Sequence, residues 1–139
     1  MSNLSLIGQY IDSVTASSCF SGHPTTYSLF NSPINCWASA NINTNQYISV
    51  QFDRFYNIHT VKLQGRYDHH DQYVKSFLLL YIDENNIERQ IGQFQGCTDK
   101  NSVVVRSFPA VKAKQVILRP QDWHGHISLR WDVLGDELS

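Results

Sequence analysis

The six residues Arg66-Tyr67-Asp68-His69-His70-Asp71 hold the densest chemistry in this 139-residue chain. They fall between two strand-like patterns, which puts them on a hairpin tip. A guanidinium presents a planar fork of donors, and a carboxylate accepts two hydrogen bonds side by side. A hydroxyl both donates and accepts, so a ligand rich in hydroxyls, such as a sugar, needs donors and acceptors fixed close together. It also needs an aromatic face for the apolar C–H patch of its ring. Arg66, Asp68 and either Tyr67 or Trp37 would supply all three. The plainer alternative is a solvated turn with Arg66 tied to a neighbouring carboxylate.

The same tip contains Asp-His-His-Asp, whose ligand types suit zinc or nickel. Adjacent histidines in a strand point to opposite faces, however, and no further ligand stands out, so a metal is left unassigned. His124-Gly125-His126 spaces two ligands by two, which a strand would put on one face, but Gly125 marks a bend. No G-x-S-x-G, H-E-x-x-H or phosphate-binding loop occurs. Nothing local brings a nucleophile to a base, and no enzyme is expected.

The elements that must position these residues are strands. Residues 46–52 (QYISVQF) and 57–64 (NIHTVKLQ) alternate in polarity. Residues 73–82 are strongly β-prone and contain the longest apolar run, 77–82. Asp83-Glu84-Asn85-Asn86 is a turn cluster, so 73–82 and 87–94 read as a hairpin. Residues 102–108 and 113–118 are further strands, the second stopped by Pro120. Residues 126–134 put Ile127, Leu129, Trp131 and Val133 on one face, with Arg130 turned away. No segment keeps a 3.6-residue stripe with caps. Short alternating strands at this spacing predict an all-β sandwich or barrel. The part up to about Asn45, rich in Ser, Thr, Asn, Gly and Pro, reads as long ordered loops around one or two short strands. Such loops tend to carry function. By alternation Trp131 is core; Trp123 is core or a packed loop, and Trp37 lies open between core and rim.

Hydrophobic residues at 42% and aromatics at 12% predict a packed core, and the length suits one domain, 1–139. Eleven Lys plus Arg against twelve Asp plus Glu give a formal charge of -1, which argues against non-specific nucleic-acid binding. The N-terminal residues lack a basic segment and a long apolar core, and no stretch approaches the roughly 20 apolar residues of a membrane span. Cytoplasmic location is the expectation, with unconventional export as the alternative. Cys19, Cys36 and Cys97 match no zinc spacing. They read as buried free thiols, or as one disulfide with a spare thiol.

Several segments in order resemble the discoidin, or factor 5/8 type C, domain. They are Ser13-Val14-Thr15-Ala16-Ser17-Ser18, Cys36-Trp37-Ala38 with Asn45-Gln46-Tyr47-Ile48, Leu63-Gln64-Gly65-Arg66 with Gln72-Tyr73-Val74, and Thr98 to Val104. The most specific is the run from Leu118-Arg119-Pro120-Gln121-Asp122-Trp123 through Arg130 to Asp132-Val133-Leu134-Gly135. The resemblance covers nearly the whole chain and is strongest to the N-terminal domains of slime-mould discoidin lectins. It implies a jelly-roll β-sandwich of roughly eight strands, related to galactose-binding modules. It also implies binding rather than turnover, and a binding rim of loops. Carried onto this chain, that rim is Asn35, Trp37, Arg66, Tyr67, Asp68, His69, His70 and Asp71. Arg130 would be a framework residue, and His124 to His126 the approach to the last core strand. A structural Ca²⁺ is left open by the same resemblance, with Asp12 or Asn31 to Asn35 as its donors. Two departures stand out. No Cys lies near either end, where many extracellular members carry a disulfide, which fits an intracellular member. The loop before Trp37 is shorter than in the slime-mould lectins.

The expected function is therefore a lectin-like module for galactose or N-acetylgalactosamine. A monosaccharide at about -0.3 kcal/mol per heavy atom binds near millimolar. Linked sites add roughly 100- to 10,000-fold, so a homo-oligomer is expected. The alternative is a protein-interaction module of the same fold without sugar binding. Phospholipid binding is not expected, because the tips at 67–71 and 97–100 are polar and carry acids.

Overall fold

The computed structural model describes residues 4–29, 36–66 and 68–138. A short strand β1 (Leu4–Ser5) leads into one turn of helix, α1 (Leu6–Gln9), and a 3-10 turn at Ile11–Ser13. Strand β2 (Val14–Ala16), a second 3-10 turn (Thr25–Tyr27) and β3 (Trp37–Ala38) complete the loop-rich first part. Then come β4 (Ile48–Gln64), β5 (Tyr73–Ile82), β6 (Glu88–Gln95), β7 (Val104–His124) and β8 (Ser128–Glu137).

Hydrogen bonding runs through the strands in the order β1-β8-β4-β7-β5-β6, with β2 on β4 and β3 on β8. Every named pairing is antiparallel. Two long strands turn this connected sheet into two layers. β4 and β7 pair at Gln51 opposite Gln115 and resume at Tyr56 opposite Ala113. Four residues of β4 are thus set against the single residue Lys114, a bulge that bends both strands. On one side of the bend, β4 and β7 lie between β2 and the β5–β6 hairpin; on the other they join β8 and β1. The result is the β-sandwich that the sequence predicts.

The strand boundaries need correction. The patterns at 46–52 and 57–64 belong to one strand, as do those at 102–108 and 113–118, and neither proline ends β7. Pro109 falls where β7 bulges against β4, between Ser107 opposite Thr60 and Val111 opposite Ile58. Pro120 lies beyond the last β4 pair, Ile48 opposite Leu118, where β7 keeps only β5 as neighbour. Bulges and edges are the settings in which a missing N–H is tolerated.

The core fills the space between the layers. Ile127, Leu129, Trp131 and Val133 are fully buried, as their alternation predicts, with Trp37, Ile48, Val50, Phe77, Leu79 and Leu118. Arg130 and Asp132, on the other face of β8, are also buried. Helix α1 packs over that face, and Asp132 accepts from the Ser5 hydroxyl and from the Ile7 N–H at 3.3 Å. The carboxylate thus satisfies one of the unpaired donors of the helix start.

Candidate functional site

The tip joins β4 to β5, which are separated in the sheet by β7, so it is an inter-strand loop and not the hairpin expected from the sequence; it is built on a glycine that admits no side chain. A Cβ on Gly65 would sit 2.7 Å from Tyr73 Cβ and 2.8 Å from both the Gln72 carbonyl and Lys100 Cα. Three chain segments therefore meet at Gly65. Its N–H donates to the Lys100 carbonyl at 3.1 Å, and the Arg66 N–H donates to the Gln72 carbonyl at 3.0 Å. From below, Arg130 donates through Nε to the Gly65 carbonyl at 2.9 Å and through Nη2 to that of Lys100 at 3.5 Å. Arg130 is thus the framework residue that the resemblance implies.

Arg66 is held on three sides. Its Nε donates to Asp68 Oδ1 at 2.9 Å, its Nη1 to Gln72 Oε1 at 3.1 Å, and its Nη2 lies 3.3 Å from His23 Nε2. His23 Nδ1 lies 3.2 Å from the Cys36 carbonyl. A carbonyl can only accept, so Nδ1 carries the proton and Nε2 is the acceptor for Arg66. The Ser128 hydroxyl donates to Gln72 Oε1 at 3.0 Å. Asp68 Oδ1 also receives the His70 backbone N–H and lies 2.9 Å from His70 Nδ1, while the Lys100 ammonium donates to the Asp68 carbonyl. Burial alone would raise the Asp68 carboxyl, but donation from Arg66 and from His70 outweighs it and holds it far below the usual carboxylate range.

Beside Arg66 a cleft of about 60 Å³ is lined by Phe20, Ala38, Arg66, Gln72 and His126. That is the space of about two waters, enough for the hydroxyl edge of a larger ligand. Phe20 stands at its mouth, 50% exposed, with His126 edge-on at 5.8 Å and His23 tilted at 6.1 Å. His126 Nε2 lies 2.7 Å from the Ser39 carbonyl, which fixes the ring. Gly125, with φ 75°, turns the chain here, as its place in the sequence predicts. The adjacent His124 points elsewhere, stacking on Tyr73 at 5.1 Å and meeting Asp71 at 3.2 Å.

Of the sequence-predicted site residues, Arg66, Asp68 and His70 come together and the His69 ring packs on His70; His69, His70 and Asp71 are exposed on the tip. Asn35 and Tyr67 lie outside the described residues, as does the Asn31 to Asn35 segment considered for calcium. Asp12, the other calcium donor considered, is exposed on the first 3-10 turn. Trp37 is corrected: it is fully buried, its indole N–H donating to the Ser18 carbonyl at 3.0 Å, and it supports the rim from behind. The histidines are corrected too. His69 and His70 lie on a bend, not a strand, and their rings pack at 4.3 Å. Cys36 and Cys97 are buried free thiols as expected, but Cys19 is exposed. The sequence reading missed Phe20, Gln72 and His23, and took His126 only as part of the approach to the last core strand. For Phe20 a signal existed: a lone aromatic in the run Ser17-Ser18-Cys19-Phe20-Ser21-Gly22, which has no strand to bury it. Ile42, 48% exposed, adds an apolar side chain on the β3–β4 loop, so the loops are less uniformly polar than the two tips suggest.

A larger groove of about 550 Å³ runs along β5, β6 and β7, past Tyr73, Lys75, Gln95, Arg106 and Asp122. Its cations are already engaged: Lys75 lies 3.7 Å from Asp122, and Arg106 donates to the carbonyls of Gln95 and Val105. The smaller cleft is the better candidate, because it joins an exposed ring to a fixed set of donors and acceptors.

The fold is a two-layer β-sandwich with a polar, aromatic-rimmed cleft among its loops. The particular family is established by sequence: residues 13–133 match the F5/8 type C domain, and the chain belongs to that family. It is 37% identical over 101 residues to Discoidin-2 of Dictyostelium discoideum, covering 70% of this chain and 39% of that protein. It is 35% identical over 113 residues to hemocytin of Bombyx mori, covering 76% of this chain and 4% of that protein. The structure of recombinant discoidin II of Dictyostelium discoideum superposes with a TM-score of 0.91 at 25% identity, over 99% of this chain and 60% of that one. The family 32 carbohydrate-binding module from C. perfringens NanJ, solved in complex with galactose, shares the fold with a TM-score of 0.73 at 13% identity, over 89% of this chain and 92% of that one. This chain spans about two fifths of the discoidins it matches.

Proposed function

We propose that this domain is a non-catalytic, lectin-like module that binds a galactose or N-acetylgalactosamine residue of a glycan at the Phe20–Arg66 cleft. One observation carries the reading: a half-exposed Phe20 ring borders the same small cleft as an Arg66 guanidinium already fixed by Asp68 and Gln72. A galactose-type ring has an apolar C–H face and a hydroxyl edge. Phe20 suits the face. Arg66, Gln72 and His126 line the space for the edge. Preorganised groups lose little freedom when they bind, which matters for so small a ligand. The galactose complex of a module with the same fold supports a sugar ligand. Weak single-site affinity makes several linked sites useful, so self-association belongs to the same proposal. Free thiols at Cys19, Cys36 and Cys97 suit a cytoplasmic location.

The test is an amide and side-chain NMR titration of the protein with galactose, N-acetylgalactosamine and glucose, with calcium and with chelator. Saturable shifts at Phe20, Arg66, Gln72 and His126 with the galactose-type sugars are expected. No shift at tens of millimolar would overturn the reading. Loss of the shifts in chelator would bring calcium into it.

A further inference from the structure

We propose that Asp68, His69 and His70, on the tip that follows Arg66, form a binding site for a divalent transition metal of the zinc type. Each offers one ligand atom, and these atoms all lie within 4.8 Å of one another. Among the described residues no other group of three or more His, Cys, Asp or Glu side chains meets that criterion. Three consecutive residues converge because the backbone bends. Asp68 Oδ1 accepts the His70 N–H at 2.9 Å, a local turn that folds the following residues back over the carboxylate. The His70 ring is thereby brought to 2.9 Å from the same oxygen, and the His69 ring packs against it.

The spacing is chemically apt. Zinc ligands sit about 2.0–2.2 Å from the ion, so two neighbouring ligands lie roughly 3–3.5 Å apart, close to the Asp68–His70 distance. Arg66 Nε donates to Asp68 Oδ1 at 2.9 Å and holds the carboxylate in place beside the two rings. Two imidazoles and a carboxylate favour Zn²⁺, Ni²⁺ or Cu²⁺ over the all-oxygen shells of Ca²⁺ and Mg²⁺. Both rings are exposed, so an ion can reach them without opening the fold.

The test is calorimetric titration of Zn²⁺ alone into the protein, with His69→Ala, His70→Ala and, as control, His124→Ala. Neither tip ring is buried, so the variants should fold, and near-UV circular dichroism checks that. Loss of an outer-shell partner alone costs about 10–100-fold, so each tip variant should weaken Zn²⁺ binding at least about tenfold while His124→Ala binds as the parent. Equal affinity in all four proteins, or a loss seen only in His124→Ala, would overturn the site. Ring resonances of His69 and His70 should broaden first with sub-stoichiometric Cu²⁺; broadening confined to the other four histidines would overturn it equally.

Discussion

Asp68 Oδ1 stands 2.9 Å from Arg66 Nε and orients the guanidinium whose Nη1 donates to Gln72 at 3.1 Å. Side-chain exposures of 13% for Arg66 and 18% for Asp68 shield the pair from most solvent screening. In the proposed sugar site the carboxylate would act on a ligand through Arg66, by setting which N–H groups remain for a hydroxyl in the cleft.

Asp68→Asn keeps the shape and removes the charge. Charged hydrogen bonds contribute about 1.5–3 kcal/mol where neutral ones give about 1, so N-acetylgalactosamine affinity should fall roughly 3- to 30-fold. Arg66→Lys should lose more, since one ammonium cannot serve Asp68, Gln72 and His23 together. Calorimetry or NMR titration reads both; parent-like affinity in Arg66→Lys would remove Arg66 from the site.

Phe20 and Trp37 separate surface from core. Phe20→Ala should weaken sugar binding by about 2- to 10-fold, taking an aromatic contact as about 0.5–1.5 kcal/mol, with little change in stability. Trp37→Ala should cost about 3–5 kcal/mol of stability, because it empties a fully buried volume and leaves the Ser18 carbonyl without its indole donor. Urea midpoints for the two variants decide the matter. A Phe20→Ala loss as large as that of Trp37→Ala would make Phe20 a packing residue.

Legibility in the sequence followed the range of the interaction. The stripe Ile127, Leu129, Trp131 and Val133 is written in one short segment, and all four are fully buried. The hairpin at 83–86 is equally local: Asp83 accepts from the N–H groups of Asn85 and Ile87, and Asn86 takes a φ of 61°. The continuity of β7 through Pro109 and Pro120 was not legible, since it depends on which neighbours flank each proline. At the site, Arg66 and Asp68 are two residues apart and were found. His23 is 43 residues from Arg66, and Phe20 meets His126 only through the fold. Trp37 could not be placed by type, because a tryptophan serves equally well as platform or core.

The three thiols give a check on burial that needs no ligand. Cys97 is pushed up to about 12, by burial first and then by the charge of Asp99. At pH 8 its thiolate fraction is on the order of 1 in 10,000, against about a quarter for an ordinary thiol near 8.5. Cys36 is fully buried and Cys19 exposed. Native protein treated with iodoacetamide at pH 8 should gain one adduct, on Cys19, and denatured protein three. Mass spectrometry showing Cys97 modified as fast as Cys19 would contradict the packing around β6 and β7.

Acid should reveal the Asp68 clamp with a definite sign. An unfolded aspartate titrates near 3.9, whereas native Asp68 is held far lower. Below about pH 4 the unfolded chain therefore binds a proton that the native one refuses, and stability falls as the pH falls. The stabilisation is complete above that pH and is lost progressively toward the native value. Asp68→Asn has no such proton to bind. The difference in unfolding free energy between parent and Asp68→Asn should hold steady from pH 7 to about 5 and shrink steadily from 4 to 2. Sugar affinity in the parent should show no Asp68 titration between pH 7 and 4. A parent–variant gap that stays constant down to pH 2 would mean that Asp68 titrates as an ordinary surface carboxylate, and the clamp on Arg66 would have to be abandoned.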